Sequence, residues 1–262
     1  MPTLGELRKS AAALLANGDV LPALRVYDAM VAAAPLDYKV RMKVGDCLAA
    51  LGEKARAAEV YRAVAFYCLK AGHPLSALVA ARVVSESLGA EDDDLLASLV
   101  VRYGSESDVI GSFAARIRLP AADTAVPVGA TTEQDPVAAA AHRATHATDD
   151  YDGFPEVLHP IPLLSELSEE ALRRVLQTLV VRRLPPNSMV IREGEPGQSF
   201  FFLAGGEVSV YDTDSMGTAR ELARLGEGAI FGEMALIDGQ PRSARATATT
   251  DCKLARIDER RL

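Results

Sequence analysis

The stretch 226-GEGAIFGEMALIDGQPRSARATA-248 decides how the C-terminal part of this chain is read. Phe231-Gly232-Glu233 leads into a short apolar run, Met234 to Ile237, long enough for one or two helical turns. Gly232 omits a side chain where a ligand would have to approach the backbone. The amides of Gly232 through Ala235 would be free donors at a helix start, an arrangement that receives anions. After Asp238-Gly239, Pro241 stiffens the return and brings Arg242 to the same spot. Its planar, charged fork suits a phosphate. Ser243 adds a hydroxyl and one more amide. Glu233 is the odd member of the set, since a carboxylate repels phosphate.

Upstream of this stretch the pattern is helix, then strands. Ser168 reads as the N-cap of an amphipathic helix, with Glu169 and Glu170 in its first turn and Leu172, Val175, Leu176 and Leu179 on its apolar face. A turn at Pro185-Pro186-Asn187 and a strand MVIREGE (189–195) follow, with a second turn at Glu195-Pro196-Gly197. SFFFLAGGEVSVYD (199–212) reads as two strands around Gly205-Gly206, and RELARL (220–225) as another after a turn at Met216-Gly217. Short strands at this spacing, with glycine turns, predict a small antiparallel barrel or jelly roll with flanking helices.

A ligand with a hydroxyl donor beside its phosphate reconciles Glu233 with Arg242, and a ribose 2′-OH next to a cyclic phosphodiester has that form. The segment FGEMALIDGQPRSARATA closely resembles the phosphate-binding cassette of cyclic-nucleotide-binding domains, the family of catabolite activators, protein kinase A regulatory subunits and cyclic-nucleotide-gated channels. The resemblance extends to IREGEPGQSFFFLAGGEVSVY upstream and covers about 105 residues. It implies that Glu233 accepts from the ribose 2′-OH and that Arg242 pairs with a phosphate oxygen. The amides of Gly232, Ala235 and Ser243 would complete the cradle, with Met234 and Ala244 also among the ligand-binding residues. The implied ligand is cAMP rather than cGMP, and no cofactor is expected. Two departures stand out. Arg245 occupies a position where many members carry Thr or Ser, and strand alternation would place it on the face of Ser243. The family's closing lid helix is represented only by IDERRL, with Asp258 as its N-cap, so the chain reads as a fragment.

The N-terminal 118 residues are rich in Ala and Leu with helical periodicity. Leu14 and Leu48, Gly18 and Gly52, Ala23 and Ala57, and Tyr27 and Tyr61 are each 34 positions apart. That period, built from helix pairs, resembles tetratricopeptide repeats. A helix from about Glu53 to Ala71 is expected to run into a third, irregular repeat near Gly72 and Ala77, with one or two capping helices over 92–118. The resemblance implies a protein partner on a concave face. The run Glu91 to Asp94 is read as a solvated loop and helix start. Residues 119–150 hold scattered Pro, Thr, Ala and Asp with almost no large apolar residues, and read as a flexible linker. The domain plan is therefore helical repeats at 1–118, linker at 119–150 and nucleotide-binding domain at 151–262.

Composition narrows the function. A net charge of −8 fits nucleic acid and anionic lipid poorly, though it permits a local basic pocket. Cys47, Cys68 and Cys252 match no zinc or disulfide spacing, and the opening MPTLGELRKS has no signal core, so a reducing cytoplasm and a soluble chain are expected. The histidines at 73, 142, 146 and 159 are dispersed, and no catalytic arrangement follows from spacing. The reading is a non-catalytic signalling adaptor. Its alternatives are a transcription factor or a regulated enzyme whose effector domain lies beyond residue 262, or a degenerate domain that binds nothing.

Overall fold

Thr3 caps the first helix in a reciprocal pair: its hydroxyl accepts from the Glu6 amide, and the Glu6 carboxylate accepts from the Thr3 amide. The computed structural model describes residues 1–88, 92–127, 134–213 and 218–261. The chain divides into two compact units, one of Met1–His73, Ala80–Leu95 and Gly111–His159, the other of Pro74–Val79, Leu96–Ile110 and Pro160–Leu262.

In the first unit, α1 (Leu4–Ala16) and α2 (Val20–Ala33) form one packed pair, α3 (Tyr38–Ala50) and α4 (Lys54–Ala71) the next. Corresponding helices begin 34 residues apart, Leu4 with Tyr38 and Val20 with Lys54. The turns within the pairs sit on Gly18 (φ 84°) and Gly52 (φ 86°), left-handed positions that strain other residues. Tyr61 lies over Gly45, where a Cβ would meet its ring at 2.9 Å. The continuous helix expected to end at Ala71 is α4. Helices α5 (Pro74–Leu88) and α6 (Asp93–Tyr103) follow. Asp92 and Asp94 both pair with Arg62, each at 3.2 Å, and Asp92 also accepts from the Leu95 amide. Glu91, the first residue of that acidic run, lies outside the described residues.

Of the one or two helices expected over 92–118, α6 forms, but the segment is not helical throughout: strand β1 (Ile110–Ala115) follows α6, and its Ala115 bridges Leu158 in parallel. Gly104 and Gly111 interrupt the helical pattern there. The segment 119–150 is not simply a linker either. Pro136–His146 forms α7, whose N-cap Asp135 accepts from the amides of Val137 and Ala138 at 3.0 Å each. Ala140, Ala141 and Ala144 are buried, and α7 packs on α2, α3 and α4. Arg143 pairs with Asp28 at 2.8 Å. Fully buried Arg41 donates to the carbonyls of Ala144 (2.8 Å) and Thr145 (3.3 Å) and to the Thr148 hydroxyl (3.0 Å). Burial holds its pKa below the usual arginine value. Residues 128–133 of the expected linker lie outside the described residues.

The second unit carries two β-sheets. Ser168 caps α8 (Glu169–Thr178) through the Ala171 amide. Leu172, Val175 and Leu176 are buried on it; Leu179 is buried too, but lies past the helix end. The strands are β2 (Val180–Leu184), β3 (Met189–Ile191), β4 (Ser199–Gly205), β5 (Val208–Thr213), β6 (Ala219–Leu225) and β7 (Ile230–Phe231). Helix α9 (Met234–Asp238) precedes β8 (Arg245–Ala248) and β9 (Cys252–Asp258). They form two antiparallel four-stranded sheets, ordered β2-β9-β4-β7 and β3-β8-β5-β6. The shared core draws Phe201, Leu203, Phe231 and Leu254 from one and Ile191, Val208 and Ala246 from the other. The expected strand at 189–195 stops at Ile191, and the expected turn at Met216-Gly217 lies outside the described residues. Cys47, Cys68 and Cys252 are free and buried. Among the described residues no helix is long and apolar enough to cross a membrane, and no group of three His, Cys, Asp or Glu could hold a metal.

Candidate ligand-binding site

The site is built around one buried cation. Strand β7 delivers Phe231 into the core, where its ring stacks on Phe201 at 5.3 Å, and the chain then turns at Gly232 (φ 82°). A Cβ on Gly232 would meet Nη1 of Arg242 and Cδ1 of Ile191, each at 2.9 Å. Gly232 therefore makes room for Arg242 as well as for any ligand. The next residue, Glu233, is the N-cap of α9, and its carbonyl accepts from the amides of Leu236 (3.0 Å) and Ile237 (3.2 Å). The amides of Met234 and Ala235 thus precede the first intrahelical bond.

Arg242 is 7% exposed. Its Nη1 donates to the Gly232 carbonyl, and its Nη2 donates to the carbonyl (2.5 Å) and hydroxyl (3.3 Å) of Ser199. Its own backbone is tied to the preceding loop: the Arg242 amide donates to the Glu195 carbonyl (2.9 Å), and the Gly194 amide to the Arg242 carbonyl (2.8 Å). Burial lowers the pKa of the guanidinium, the charge of Arg256 acts the same way, and Glu195 and Glu233 oppose them. No carboxylate of the described residues lies within ion-pair distance of Arg242. Two backbone carbonyls and the Ser199 hydroxyl hold this cation.

The seven residues expected at the site, Gly232, Glu233, Met234, Ala235, Arg242, Ser243 and Ala244, all line one cavity of about 230 Å³. Met234 is 58% exposed at its edge, and Ser243 is exposed as well. The apolar wall, which the sequence reading did not single out, comes from Ile191, Val210, Leu225, Ile230, Phe231 and Ala246. Their alternation along the strands was the available signal. Gly197 and Ser199 were also missed. A Cβ on Gly197 would come within 2.1 Å of the Ala235 Cβ, so this glycine lets α9 settle. Arg245 does not share a face with Ser243, because β8 begins only at Arg245 and alternation does not reach back to the loop. It pairs with Tyr211, its guanidinium 4.9 Å from the ring centroid, while its neighbour Ala246 lines the cavity. Asp258 ends β9 and pairs with Arg256; Glu259–Arg261 form a short 3₁₀ turn.

With this geometry in view, the relatives are informative. Residues 181–262 match the model of the cyclic nucleotide-binding domain family. The cAMP-dependent protein kinase regulatory subunit of Aspergillus fumigatus is 36% identical over 107 residues, which is 41% of this chain and 24% of that protein. The cyclic nucleotide-gated potassium channel of Mesorhizobium japonicum is 37% identical over 99 residues, 38% of this chain and 26% of the channel. The chain thus spans about a quarter of the length of these relatives. Among solved structures, the regulatory subunit of a cAMP-independent protein kinase A from Trypanosoma brucei matches at 28% identity and a TM-score of 0.36, over 38% of this chain and 37% of that one.

Proposed function

We propose that the C-terminal unit is a cyclic-nucleotide sensor that takes cAMP in preference to cGMP as its ligand, and that the chain is a non-catalytic signalling adaptor. One observation carries the reading: within the family-matched stretch, Glu233 and Arg242 line the same half-apolar cavity. Arg242 supplies the charge for the cyclic phosphate. A guanidinium has five N–H donors, and the carbonyls of Gly232 and Ser199 orient the group without neutralising it. The amides of Gly232, Ala235 and Ser243 complete the phosphate cradle, and Met234 and Ala244 border it. Glu233 accepts from the ribose 2′-OH. The purine packs on the apolar wall of Val210, Leu225 and Ile230. The two sheets are read as a closed jelly-roll barrel and the helix pairs as tetratricopeptide-like repeats, whose 34-residue step supports them. Those repeats hold a protein partner in the cytoplasm, and the nucleotide alters that grip by binding its two states unequally.

Calorimetric titration of cAMP and cGMP into the chain tests the sensor. Saturable binding with cAMP the tighter ligand is expected; no heat at millimolar nucleotide would sink the reading.

A further inference from the structure

Alternate residues of an antiparallel strand line one face, so the inward face of the sheet β2-β9-β4-β7 is expected to be apolar throughout. Most of it is: Phe201, Leu203, Cys252 and Leu254 are buried in the core, and Leu184 packs against them. Four residues on that face break the rule: Ser199 and Asp258, which lie opposite each other at one end, and two arginines. The register places Arg182 opposite Leu254 and Arg256 opposite Phe201, so both arginines share the side of Leu254 and Phe201. They are diagonal neighbours across β2 and β9, a separation of roughly 7–8 Å.

Both line a second cavity, of about 250 Å³, which shares only Ile191 and Arg242 with the first. Of the charged side chains that line this cavity, three are arginines, 182, 242 and 256, and one is a carboxylate, that of Glu195, which itself lies 3.9 Å from Arg192. Arg256 is paired with Asp258 through Nη2, but its Nε is buried with no hydrogen-bond partner. A buried donor left so is costly, and an acceptor inside the cavity relieves that cost. Arg182 is exposed at the rim and has no ion-pair partner among the described residues. Arg242 is held by two backbone carbonyls and the Ser199 hydroxyl, with no carboxylate among its hydrogen-bond partners. The rest of the lining mixes apolar side chains, Leu184, Val190, Phe201 and Leu254 among them, with the polar Gln198 and Ser199, and the apolar part strengthens an ion pair formed beside it.

From this convergence we infer that the cavity is an anion site separate from the nucleotide cavity, taking a phosphate dianion, free or as a small phosphate monoester, through Arg182 and Arg256 with Arg242 at its inner wall. The inference does not depend on the nucleotide reading, since Glu233 and the rest of the Gly232–Ala235 segment take no part.

The test is calorimetric titration of inorganic phosphate, without nucleotide, into the full chain and into its Arg182→Gln and Arg256→Gln variants. Saturable binding that weakens about tenfold or more in each variant is expected, the loss of one charge-assisted contact. Phenyl phosphate titrated alongside separates the two sources: tighter binding than phosphate assigns the site to monoesters, weaker binding to the free ion. No saturable binding of either anion overturns the inference. So does binding that both variants leave unchanged, which would put the anion elsewhere, the nucleotide cavity included. Arg182 is exposed on its strand, so its variant keeps the test decisive if Arg256→Gln does not fold.

Discussion

Replacing Arg242 by alanine removes two things at once, and they are separable. The guanidinium, 7% exposed, donates to the carbonyls of Gly232 and Ser199, which anchor the start of α9 and of β4. An unpaired buried carbonyl costs roughly 1–3 kcal/mol. Cavities touch Arg242 from two sides, so water can reach part of the vacated space, and the lower end applies to each carbonyl. The expected loss of stability is about 2–3 kcal/mol, a fall in Tm of roughly 10 °C or more for a unit of this size. The second effect concerns the ligand. A hydrogen bond to a charged group contributes roughly 1.5–3 kcal/mol, so cAMP should bind about one to two orders of magnitude more weakly. Calorimetry well below the variant's melting temperature measures the second effect, and thermal unfolding followed by circular dichroism the first. A folded variant that binds cAMP as tightly as the wild type would refute recognition by Arg242. An unchanged Tm would refute its role in holding Gly232 and Ser199.

Three further outcomes follow from particular contacts. If Glu233 reads the ribose hydroxyl, 2′-deoxy-cAMP should bind the wild type about tenfold more weakly than cAMP, and Glu233→Ala should abolish the difference; a penalty that persists in the variant would assign the hydroxyl to another group. Gly197→Ala would drive its Cβ to 2.1 Å from the Ala235 Cβ, so α9 must shift; calorimetry should register weaker cAMP binding and thermal unfolding a loss of about 1–3 kcal/mol, and wild-type values for both would show that the loop yields freely. Arg41→Met removes the buried donors that hold the C-terminal end of α7, and should cost about 3 kcal/mol or more while leaving residues 136–148 open to limited proteolysis. Unaltered protection of that segment would show that its alanine face alone suffices.

The parts of this molecule that were legible in the sequence are those specified by neighbours in the chain. The helix boundaries of the first two pairs follow from Gly18, Gly52 and their 34-residue step. The cassette follows from Gly232, Glu233, Pro241 and Arg242 lying within eleven positions. Missed elements depend on residues far away. Strand β2 reads Val-Val-Arg-Arg-Leu, a continuation of an amphipathic helix, and becomes a strand because β9 pairs with it about seventy positions later. Helix α7 shows the same principle more sharply. Its buried face is alanine, which removes little apolar area per residue, so composition alone marked the segment as unable to fold. What holds it is Arg41, over a hundred positions upstream, whose guanidinium takes the helix's last carbonyls, together with the Arg143–Asp28 pair. Those carbonyls carry the negative end of the helix dipole, so a buried cation there meets both its hydrogen-bond and its charge requirement. Arg41 and Arg242 solve one problem in two units. Each is a buried arginine satisfied by backbone oxygens and not by a carboxylate, and each was placed by a partner the local sequence does not contain. They differ in what surrounds them: Arg41 is sealed at zero exposure, whereas Arg242 opens on two cavities. That difference is why the first is read as a clamp on a helix end and the second as a group awaiting an anion.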